Sequence, residues 1–160
     1  MQTRKNQDLT ELQLEVKIKF PLYLESNPLI KKYISDKNNH ENYIENLFRN
    51  VILIERYARN KIVINIEVLE INCDLIPYAV LGISLALNEA NIEQKGICTA
   101  TNIMRKENEL IIDPTFEEEK DCEFKLLWGC LYDLDENTLY IQRGSIDDEN
   151  LKNVLFIFLN

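Results

Sequence analysis

The sequence predicts an α/β fold of the α+β type, a mixed sheet with helices packed on one face. Three observations carry that expectation. "LQLEVKIKF", residues 12–20, alternates apolar and polar residues over nine positions, the period of a half-buried strand. "KIVINIEVLEI", residues 61–71, alternates again and is rich in β-branched residues, so a second strand is expected. Between them, "ENYIENLFRNVILIERYARN" sets Tyr43, Ile44, Leu47, Phe48, Val51, Ile54 and Ala58 at helical spacing. That pattern predicts an amphipathic helix over 41–60.

The remaining elements follow in order. "PLYLESNPLIKKYISDKNNH", between the first strand and the helix, is polar and holds two prolines, and reads as a loop. Past the second strand, Pro77 suits the first turn of a helix, where its missing donor costs nothing. Residues 78–91 are apolar nearly all round, with Gly82, Ser84 and Ala86 keeping the surface narrow. Such a helix is expected to be central and packed on more than one side. "KGICTATNIM" and "ELIIDP" read as strands joined by the charged turn "RKEN", and "CEFKLLWGCLYD" and "TLYIQR" as a hairpin around "LDEN". Ser145, three residues before Asp148, gives "SIDDENLKNVLFIFL" a start like a capping box for a closing helix. No internal repeat interrupts this order, so one domain is expected over 1–160.

Composition narrows the function classes. The 160 residues are 46% hydrophobic, enough for a core, and contain no apolar run of membrane-spanning length. The first residues, "MQTRKNQD", lack the apolar stretch of a secretory signal, so nucleus and cytoplasm are the expected location, with no membrane partner. Cys73, Cys98, Cys122 and Cys130 are scattered without close pairs, which argues against structural zinc and for reduced, packed thiols. The single histidine, His40, lies in the polar stretch "DKNNHEN" and reads as exposed. The net charge is −9; a free-standing nucleic-acid binder needs a basic face, so this chain is not expected to grip RNA alone.

Two segments could carry chemistry. The loop Asn72, Cys73, Asp74, Leu75 and Ile76 precedes the Pro77 helix, whose free amino-terminal donors could receive an anion. Its side chains oppose that use: Asp74 is a like charge, Leu75 and Ile76 offer no donor, and no glycine allows close approach. Asp74 is expected to cap the helix instead. The second segment, "DPTFEEEKDCE", brings Asp113, Glu117, Glu118, Glu119, Asp121 and Glu123 together. Such acids can hold Mg²⁺ or act as acid and base, but a run of this kind more often forms a solvated connection. The four glycines, Gly82, Gly96, Gly129 and Gly144, never cluster, which removes a kinase-type phosphate loop.

Taken in order, the strand "LQLEVKIKF", the helix carrying Arg49, "IVINIEVLEINCD", "GISLALNEANIEQKG" and "ELIIDPTFEEE" resemble the RNase PH family. More specifically, they resemble the RNase PH-like subunits of the eukaryotic RNA exosome core. "ALNEANI" and "IIDPTFEEE" are similar to the family's Ala-Leu-x-Asp-Ala-Gly-Ile and Leu-Asp-Pro-Thr-x-x-Glu-Glu forms. The resemblance implies the fold shared with domain 2 of ribosomal protein S5. It also implies assembly with other RNase PH-like subunits into a hexameric ring carrying S1 and KH cap proteins. RNA would then be met through the complex.

In phosphorolytic members the loop after the second strand carries an Asp-Gly-Gly-Thr-Arg-like run that binds the attacking phosphate. Laid against it, this chain has Asn72, Cys73, Asp74, Leu75 and Ile76, with Ile76 at the arginine. Isoleucine neither donates to phosphate nor neutralises it. Asp121 and Glu123 lie near the family's general acid without matching it. The resemblance therefore implies a degenerate site, no catalytic residue, no metal and no cofactor. Arg49 matches a helical arginine of the family, and Arg49, Arg56, Arg59, Lys61 and Lys95 are the candidate RNA contacts.

The competing readings are an active phosphorolytic exoribonuclease recruiting Arg49, Lys95 or a partner's arginine, and a metal-dependent hydrolase using the 113–123 acids. Relative to the family the chain is expected to be shortened at both ends. It lacks strands that usually precede "LQLEVKIKF", and an open sheet edge would fall to a neighbour. The "LLWGCLY" strand and that edge are the expected contact surfaces, with Trp128 as anchor or, more often for such a residue, core.

Overall fold

The computed structural model describes residues 12–107, 109–120, 122–131 and 136–144. Asp121, the "LDEN" turn's first residues and the expected closing helix from Ser145 lie outside them. Two compact units divide the chain: residues up to Leu69 with Leu87–Lys95, and Glu70–Ala86 with Gly96 onward.

In the first unit, β1 (Gln13–Lys19) and β2 (Lys61–Glu67) form a parallel pair, with Leu14, Val16 and Ile18 opposite Ile62, Ile64 and Ile66. The crossover between them holds α1 (Leu22–Glu25), α2 (Pro28–Ser35), α3 (Lys37–Val51) and a 3₁₀ turn, Ile54–Tyr57. The α3 helix packs on β1 and buries Ile44, Leu47, Phe48 and Val51. Leu14, Val16 and Ile18 of β1 are buried as well.

The expected 41–60 helix thus begins four residues earlier and stops at Val51, where Ile52 turns extended and bridges Gln94. The stretch expected as a loop contains two helices. Pro28 opens the second of them, as a proline at the first helical position can. His40 lies in α3, half-buried beside the Tyr33 ring, rather than in an exposed loop.

In the second unit, β3 (Cys98–Lys106), β4 (Glu109–Ile112), β5 (Phe124–Leu131) and β6 (Glu136–Gly144) form an antiparallel sheet in the order β4-β3-β5-β6. The described strands therefore lie in two sheets, one parallel and one antiparallel. Local alternation shows strands but not which strands share a sheet. Ile103, Phe124, Leu126 and Trp128 form a core cluster, with Leu110 packed against it. Trp128 is core, and "LLWGCLY" belongs largely to β5, which is hydrogen-bonded on both sides. A strand paired on both edges cannot offer either to a partner, so the expectation of a contact surface there is corrected.

The helix α4 (Leu75–Glu89) begins in the second unit. It buries Leu75, Ile76, Ala79, Val80, Ile83, Ser84 and Leu87, while Tyr78, Leu81 and Leu85 are exposed. An apolar composition all round had suggested burial on more than one side; among the described residues only one face is covered. Ser84 faces inward, and its hydroxyl accepts a hydrogen bond from the Cys98 amide at 2.8 Å.

Candidate functional site

The loop before α4 is built from short-range capping and long-range ion pairing. Asp74 Oδ1 accepts the Ile76 amide at 3.1 Å, the capping geometry expected of an aspartate at a helix start. Its other oxygen, Oδ2, accepts from Lys125 Nζ at 3.1 Å, and Lys125 also bonds Glu119 Oε1. The side chains of Lys125 and Asp74 are each 13% exposed and that of Glu119 21%, so the three-charge cluster is largely shielded from water. One cation between two carboxylates leaves the cluster net negative. A phosphate approaching the helix start would meet repulsion from the side chains, opposing the attraction of the free amides.

The neighbouring residues bind the loop to the 113–119 segment. Cys73 bridges Thr115 in an isolated antiparallel contact, and the Phe116 amide donates to Asn72 O at 2.9 Å. The Tyr78 hydroxyl is held above its ordinary pKa, first by its hydrogen bond with Cys73, then by the charge of Cys73 and by burial, and least by the negative charge of Asp113. Tyr78 therefore stays neutral through the physiological range. Leu75 and Ile76 are 7% and 3% exposed. The Ile76 side chain is thus part of the core.

Among the described residues, the acids of the 113–123 run each have a local task. Asp113, at φ 51°, accepts from Thr101 Oγ1 and from the Asn102 amide. Glu118 accepts both the amide and the hydroxyl of Thr115 at 2.8 Å, which hold its carboxyl below the usual range. Glu117 pairs with Lys120, Glu119 with Lys125 and Glu123 with Arg105. Among the described residues, no three acids, cysteines or histidines converge as metal ligands.

The five candidate RNA contacts all fall in the first unit. Arg49 pairs with Glu45 at 2.9 Å, Arg56 with Glu93, and Lys61 with Glu15 at 2.7 Å. Arg59 occupies a tight turn at φ 68° before β2, and Lys95 is exposed. Lys125 is the functional-site residue that sequence reasoning missed. It is a lone lysine in an apolar strand, and only the fold shows that it meets Asp74.

Residues 2–93, more than half of the chain, match the 3′ exoribonuclease family, domain 1, called RNase PH. The chain belongs to the RNase PH family. A Caenorhabditis briggsae protein named for the exosome complex component RRP41 is 30% identical over 112 residues, covering 70% of this chain. The chain spans 47% of that relative's length. The crystal structure of rice (Oryza sativa) Rrp46 superposes with a TM-score of 0.79 over 98% of this chain and 71% of its own, at 18% identity. That likeness shows the fold, so the α/β RNase PH architecture expected from the sequence holds. In this RNase PH-family chain Asp74 both caps α4 and pairs with Lys125, while Leu75 and Ile76 are core side chains.

Proposed function

We propose that the protein is a structural, catalytically inactive RNase PH-like subunit of an RNA exosome ring, supporting 3′-to-5′ RNA processing and degradation in nucleus and cytoplasm. The observation that carries the inactive reading is the Asp74–Lys125–Glu119 cluster beside a buried Ile76. Phosphorolysis needs the anion positioned by preorganised donors and positive charge. Here the nearby cation is neutralised by two carboxylates, and the arginine position is packed inside. The ring reading draws on the family match and on the exosome name of the RRP41 relative.

Related RNase PH-like subunits and S1 or KH cap proteins are the partners that follow, with RNA met through the assembly. The net charge of −9 agrees with a chain that does not hold RNA alone. The test is affinity purification of the tagged protein from its own cells, with co-purifying chains identified by mass spectrometry. Recovery of several different RNase PH-like chains is the expected result. Recovery of no such chain would overturn the ring assignment.

A further inference from the structure

We draw no further inference here: the strongest candidate, the exposed apolar face of α4 formed by Tyr78, Leu81 and Leu85, carries nothing because nothing in the structure shows what covers it.

Discussion

Lys125 and Asp74 stand 51 positions apart in sequence and 3.1 Å apart in space. Asp74 was legible as a cap because capping is local: an aspartate, two residues and then Pro77 suffice. Its second partner was not legible, since an ion pair across the fold leaves no spacing pattern. Lys125→Met removes the shielded cation and leaves two carboxylates facing each other. It should lower stability by about 3 kcal/mol in a denaturant titration at neutral pH. At Glu15 the charges are exposed and the expected readout is a titration. Hydrogen bonds from Lys17 and then Lys61 hold its carboxyl at about 2 against 4.5. Because the folded value lies below the unfolded one, its contribution is fully present above pH 4.5 and is lost as pH falls toward 2. A carboxyl NMR titration should find that low midpoint, and Lys17→Ala should raise it.

The helix α4 shows what composition alone misreads at the level of an element. A nearly all-apolar helix suggested packing all round, yet Leu85 is 51% exposed and Ile83 is 4% exposed. Ile83→Ala should cost about 3 kcal/mol and Leu85→Ala less than about 0.5 kcal/mol, compared by thermal unfolding. A Cβ on Gly82 would meet nothing within 4 Å, so the glycine is not there to admit a neighbour among the described residues. Gly82→Ala should therefore stabilise by about 0.5–1 kcal/mol through helix propensity. Gly144 has the opposite constraint: at φ +85° its Cβ would lie 2.3 Å from Glu123 O, and Gly144→Ala should destabilise. The strands β1 and β2 were legible from period two, and α3 from period 3.6, apart from its ends. The helices α1 and α2 were hidden because they are short and each starts at a proline, Pro21 before α1 and Pro28 opening α2, so the apolar period has little room to repeat.

At the level of the whole molecule, the fold class was legible because alternating segments and amphipathic helices come in a characteristic order. The split of the described strands into a parallel pair and an antiparallel four-stranded sheet was not, since pairing is a long-range choice. The site was half legible. That Ile76 offers a phosphate no donor could be read from the sequence, but its burial and the Lys125 cluster required the fold. The central claim is that the positions of a phosphate-binding loop serve packing and ion pairing. The measurement that tests it most directly is incubation of the purified chain with single-stranded RNA and inorganic phosphate, followed by chromatography of the nucleotides released. The account predicts no nucleoside diphosphate above a no-protein control. Release of nucleoside diphosphates that depends on phosphate and is lost in Lys125→Met, under conditions where that variant remains folded, would contradict it.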